Sequence, residues 1–207
     1  MAGRVYDMRR RARALDDARA QALSAAYELL VDPRCQELSV DALARAAGVT
    51  RATLYNRFGA RSALLVAIFR DLGRRMKVER IYAAMRLAEP ARALQATVRE
   101  STRAYARQAP VIRKLFAFAA LDDEVRAEVE RSERQRRKSL AHLAARLVQS
   151  GDTRLEVAAA SALLAALTSF QAFEALAFDT GPRLTERRLL ELVRAGLGAS
   201  TKKGRIR

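Results

Sequence analysis

The chain has one cysteine, one histidine, four prolines and nine glycines among its 207 residues. Each scarcity removes a class of explanation. A lone Cys35 excludes an internal disulfide and suits a reducing compartment. It stands either as a redox-sensing thiol or as a passive residue in the loop after the first helix. With His142 the only imidazole and no glycine loop of the kind that cradles phosphate, a nucleophile–base pair or a ligand cluster is hard to assemble. The chain is therefore read as no enzyme, with no metal site and no cofactor. Few breakers, with Ala, Leu, Arg and Glu dominant, favour helices throughout, and no run alternates apolar and polar residues long enough to argue for a sheet. The expected fold class is all-α. The arginines near the N-terminus have no apolar stretch behind them, so no signal peptide is expected. The Ala/Leu run from Val157 to Leu167 is too short to span a membrane. A cytoplasmic location follows as the expectation.

What is present is positive charge and apolar bulk. The formal net charge is +16 and half the residues are apolar, so a sizeable core is available and a polyanionic partner is indicated, nucleic acid before membrane. Arginine supplies most of the charge, with lysine only at 77, 114, 138, 202 and 203.

The most informative stretch runs from Ser39 to Phe58, SVDALARAAGVTRATLYNRF. Val40, Leu43, Ala44 and Ala47 recur at helical spacing and give one apolar face. Ser39 stands ahead of them as an N-cap, and Asp41 meets the positive end of the helix dipole in the first turn. Gly48 lies where a left-handed stop calls for glycine. Thr50 caps a second helix within two residues, too short a connection for an antiparallel pair. That helix turns Leu54 and Phe58 inward and leaves Arg51, Thr53, Tyr55, Asn56 and Arg57 outside. Two short helices in this arrangement form a helix-turn-helix DNA reader.

Ser39, Leu43, Ala44, Ala47, Gly48, Val49, Thr50, Thr53, Leu54, Tyr55 and Phe58, continuing through Gly59 and Arg61 to Leu64 and Leu65, resemble the helix-turn-helix of the TetR-type bacterial transcriptional regulators. The resemblance covers about a quarter of the chain, roughly Ala18 to Phe69. It implies a three-helix DNA-binding domain with a helical C-terminal domain that binds an effector and dimerises. The expected organisation is a basic arm over 1–13, the DNA-binding domain over 14–60, a connecting helix over 61–80, the C-terminal domain over 81–199, and a basic tail over 200–207. The arm is either a solvated tail or an electrostatic strand along phosphates, and both can hold.

The first helix is expected over Ala14 to Val31, ended by Asp32-Pro33. Further helices are expected from Arg61, between Pro90 and Ala109-Pro110, and, after a short segment from Val111 to Ala120, from the acids Asp122, Asp123 and Glu124 onward. That triplet reads as a helix cap or as a metal site. Two more follow, Arg154 to Phe178 and Thr185 to Leu197. Arg136 falls on an apolar stripe, either ion-paired at the surface or facing an internal cavity.

On DNA, Arg51 favours guanine and Asn56 favours adenine. Ala52 stands where the family often has glycine and allows close approach or contact with a thymine methyl. Ser39, Thr50, Thr53 and Tyr55 offer hydroxyls to phosphates. Arg57 replaces a frequent histidine and Arg61 a usual lysine, both still cations for the backbone. The family's effector pocket maps by position to Met85, Tyr105, Phe116, Phe118, Arg136, Phe170 and Phe173, residues for which core packing is the alternative. The dimer face maps to Ala158, Ala162, Ala166, Leu189, Leu192 and Val193 on the last two long helices. The implied function is a homodimeric repressor, released from a near-palindromic double-stranded DNA operator by a small molecule. An activator, or an architectural or ligand-independent DNA-binding protein, is the alternative. The apolar bulk after Pro90 argues against the architectural one, since a DNA coater has no need of it.

Overall fold

A computed structural model describes residues 19–34, 38–178 and 180–198. Among them the chain is all-helical: α1 over 19–31, then α2 Val40–Ala46, α3 Arg51–Phe58, α4 Arg61–Met76, α5 Val78–Met85, α6 Pro90–Leu121, α7 Asp123–Gln149, α8 Val157–Leu167, α9 Phe170–Ala177 and α10 Pro182–Gly196. Cys35, the basic arm, the first residues expected in α1 and the C-terminal tail lie outside the described residues. The chain divides into two compact units, Met1–Gly73 with Ala109–Val129, and Arg74–Gln108 with Glu130–Arg207. No single described helix is long and apolar enough to cross a membrane; only α8 and α9 together, bent by 51° at their break, reach that composition.

In the first unit α1 buries Ala22, Leu23, Ala26 and Leu30 and ends at residue 31, where Asp32-Pro33 was expected to stop it. The turn between α2 and α3 is a Schellman stop: Val49 N–H donates to Ala44 C=O at 3.0 Å and Gly48 N–H to Arg45 C=O at 3.2 Å, with Gly48 at φ 63°. An L side chain at that φ is strained, so Gly48→Val is expected to cost about 1–2 kcal/mol. Chemical denaturation checks this, and an unchanged midpoint would refute it. The start of α7 is the cap expected of the acid triplet: Asp122 accepts from the N–H groups of Glu124 and Val125, each at 3.1 Å.

Three helix boundaries depart from the sequence expectation. The first concerns Pro110, which was expected to end a helix but lies inside α6. Proline removes a helical hydrogen bond and costs about 3 kcal/mol in an interior. Ala109, Val111, Ile112 and Leu115 are all buried beside it, and that burial outweighs the local penalty. Secondly, the helix expected over 61–80 stops at Met76, because Lys77 adopts the left-handed conformation, φ 55° and ψ 49°, ahead of α5.

The third departure lies within the second unit, where the helix expected over Arg154 to Phe178 is two. Thr168 and Ser169 part α8 from α9, and Ser169 caps α9 by accepting from Ala172 N–H at 3.1 Å. Tertiary groups stabilise the break. Tyr105 O–H donates to Thr168 C=O at 3.1 Å, and Arg136 donates to Thr168 Oγ1 at 3.0 Å and to Ala165 C=O at 2.9 Å. In the same unit α8 and α10 pack closely. A Cβ built on Gly196 would meet Leu163 Cδ1 at 2.4 Å, so glycine permits that approach.

Candidate nucleic-acid interface

The reading helix α3 sorts its side chains by burial. Leu54 is 2% exposed and Phe58 9%, four residues apart and turned into the core. Arg51, Ala52, Tyr55 and Asn56 are exposed. This is the outward set expected of a helix that enters a DNA groove. Thr50 caps the helix, its Oγ1 accepting from Thr53 N–H at 3.1 Å and lying 2.9 Å from Thr53 Oγ1. Ser39 does the same for α2, accepting from Ala42 N–H at 3.1 Å. These three hydroxyls are already engaged in holding the two helices, and each retains acceptor or donor capacity toward a phosphate. Arg51 pairs with Asp41 of α2, Nε to Oδ1 at 3.2 Å, with both side chains more than half exposed. A surface pair of this kind contributes little stability, so the guanidinium can exchange Asp41 for a base at small cost.

The other two proposed DNA cations are less free to act alone. Arg57 is half-buried and lines a cleft with Arg19. Arg61, at the start of α4, places its guanidinium 5.8 Å from the centre of the Phe118 ring.

Around the reading helices, α4 is tied to the residues that open α7. Ser62 Oγ donates to Asp122 Oδ2 at 2.8 Å, and Arg70 makes a two-pronged bond to Glu128 at 2.9 and 3.0 Å. Burial pushes the Asp122 carboxyl up, but the Ser62 hydroxyl, the two capping N–H groups and the Arg61 charge outweigh it and hold the group below its ordinary value. A carboxyl depressed on folding adds stability above its unfolded pKa, near 4, and loses it as pH falls through the folded value. Asp122→Asn keeps the cap and the acceptor for Ser62 but cannot titrate. The difference in stability between wild type and D122N is therefore expected to shrink as pH is lowered below about 4. Denaturation at stepped pH reads this, and a pH-independent difference would refute it.

The residues assigned by resemblance to an effector pocket fall into two groups. Tyr105, Phe170, Phe173 and Arg136 come together in the second unit. Tyr105 is edge-on to Phe170 at 5.6 Å, 5.8 Å from Phe173, and Phe170 lies 6.2 Å from Phe173. Arg136, whose side chain is 16% exposed, also donates twice to Glu133, at 2.7 and 2.8 Å. Burial pushes Glu133 up, yet Arg136 and then Arg137 hold it below the ordinary carboxylate range. Burial raises the Tyr105 hydroxyl well out of physiological titration. Met85, also in this unit, is buried, and its carbonyl accepts from Arg146 at 3.0 Å. Phe116 and Phe118 belong to the first unit instead.

Of the residues assigned to a dimer face, Ala158, Ala162, Ala166 and Leu192 are exposed on α8 and α10, Leu192 by 46%. Leu189 and Val193 point inward, 3% and 0% exposed. Among the described residues no cluster of His, Cys, Asp or Glu could hold a metal. Sequence reasoning did not assign Asp41, Ser62 or Arg70 a part in this assembly; their partners lie on other helices, and only Asp41 gave a local signal, as a first-turn acid.

The fold and the exposed face of α3 define a helical protein with a helix-turn-helix DNA-binding domain. Residues 22–68 match the family model of bacterial regulatory proteins of the tetR family, so this part of the chain has the DNA-binding region of such a regulator. Solved structures share the fold over most of both chains. A transcriptional regulator from Rhodococcus sp. Rha1 is 21% identical, with a TM-score of 0.66 over 87% of this chain and 94% of its own. A TetR transcription regulator from Haloarcula marismortui is 14% identical, with a TM-score of 0.71 over 87% and 98%. FadR from Bacillus subtilis, crystallised with stearoyl-CoA, is 18% identical, with a TM-score of 0.69 over 86% and 98%. No curated protein matches the chain.

Proposed function

We propose that the chain is a TetR-family transcriptional regulator, a cytoplasmic homodimeric repressor that reads a near-palindromic operator and leaves it when a small molecule binds the second unit. The observation that carries the reading is the α3 surface, where Arg51, Ala52, Tyr55 and Asn56 stand exposed on a helix fixed by two buried apolar residues and a capped turn. One such helix contacts too few base pairs for useful affinity, and two at fixed spacing read a palindrome. The outward strip of Ala158, Ala162, Ala166 and Leu192 supports a self-association face, since small residues allow helices to approach closely.

The capture of stearoyl-CoA by the Bacillus subtilis FadR supports a small-molecule effector here, with Tyr105, Phe170, Phe173, Met85 and Arg136 as its candidate contacts. A ligand that takes the Arg136 donors now on Thr168 and Ala165 would release the acceptors at the break between α8 and α9. Binding there would therefore be coupled to the break between those helices. No part of this reading needs catalysis. Selection of bound sequences from random duplex DNA at near-physiological salt tests it. A palindromic consensus is expected, and recovery of none would leave an architectural DNA-binding protein.

A further inference from the structure

A cleft of about 250 Å³ lies in the first unit, and none of its lining residues was assigned to the effector or to the dimer. Its apolar lining comes from Phe58 of the reading helix and from Ala63, Val66 and Ala67 of α4. Three guanidiniums line it, those of Arg19, Arg57 and Arg70, against a single carboxylate, Glu124. Glu128 pairs with Arg70 from outside the lining, so the three cations still outnumber the two acids. Arg19 stacks its guanidinium 5.2 Å from the centre of the Phe58 ring, which leaves its edge donors available to a ligand.

We infer that this cleft binds a small organic anion, a carboxylate on a compact apolar or aromatic body. Each half of that description follows from the lining. The apolar side chains offer no hydrogen-bond partner, so an occupant that fills the cleft carries an apolar part against them. The planar forks of the lining arginines match a carboxylate, which can take two parallel N–H donors from one arginine. The volume lies at the small end of ligand pockets and admits a body about the size of a benzene ring. Arg57 and Phe58 belong to α3, so the occupant touches the element that reads DNA. The site is distinct from the effector site proposed above and neither requires the other.

Calorimetric titration of the full-length protein with benzoate tests the assignment, with benzamide as the uncharged isostere and without DNA. Saturable benzoate binding with a Kd on the order of 1 mM is expected, with no measurable binding of benzamide. Arg19→Gln removes a lining charge and Ala63→Phe fills apolar space in the cleft; each is expected to weaken benzoate about tenfold or more. Circular dichroism establishes that both variants are folded, and Arg19→Gln, a change at an exposed side chain, guards against misfolding of the other. Equal binding of benzoate and benzamide, no binding of either, or unchanged benzoate affinity in the folded variants would overturn the site. Inorganic phosphate that displaces benzoate at equal concentration would overturn the organic half. A failure on any of these counts leaves the selection of operator sequences untouched.

Discussion

Asn56→Ala is expected to weaken operator binding by about 1–3 kcal/mol and to relax the preference at one base pair. Asn56 is exposed on α3, and its amide presents the donor–acceptor pair that adenine displays in reverse in the major groove. Arg51→Ala is expected to fall in the same range with loss of preference for a guanine. Its pairing with Asp41 is a surface contact on both sides, so little has to be given up before the guanidinium turns to a base. Arg57→Ala provides the contrast. A half-buried arginine directed to the backbone should weaken specific and random duplex alike and lower the salt dependence. Affinities on the selected operator and on random DNA, compared at one salt concentration, separate the cases. Equal losses on both for Asn56→Ala and Arg51→Ala would remove the base-reading role.

The second large effect is expected from Ala162→Glu, which should yield monomers in sedimentation and lower operator affinity by several kcal/mol. Ala162 is exposed in the protomer, so a carboxylate there is hydrated and harmless to the fold until two copies meet. Across a two-fold axis it places like charges together without partners, at a cost of about 3–5 kcal/mol. Loss of the second reading helix then follows from loss of the dimer. Leu189→Glu should behave differently. Leu189 was expected on the dimer face, but it is 3% exposed within the protomer, so a charge there should unfold the second unit rather than part the subunits. A dimeric, folded Ala162→Glu protein would sink the proposed interface.

The sequence alone determined the reading unit, and the reason is that its signals are local. The Ser39 and Thr50 caps, the left-handed Gly48 and the inward pair Leu54 and Phe58 act within one or two turns of chain. Neighbouring residues suffice to specify them. The all-helical class followed for the same reason, from the composition and from apolar spacing.

Only the tertiary structure decided the rest. Pro110 should end a helix on local grounds, yet burial of Val111, Ile112 and Leu115 carries α6 through it. The apolar run after Arg154 shows no breaker at Thr168. It breaks there because Tyr105 and Arg136, 63 and 32 residues from Thr168 in sequence, satisfy the backbone and hydroxyl groups at the bend. Arg136 on an apolar stripe therefore stayed open between an ion pair and a cavity-facing charge until its acceptors were in place. The same holds for the cleft lined by Arg19, Arg57, Arg70 and Glu124, whose residues come from four helices. Periodicity reports which face of a helix is buried, whereas these features depend on which other helix it is buried against.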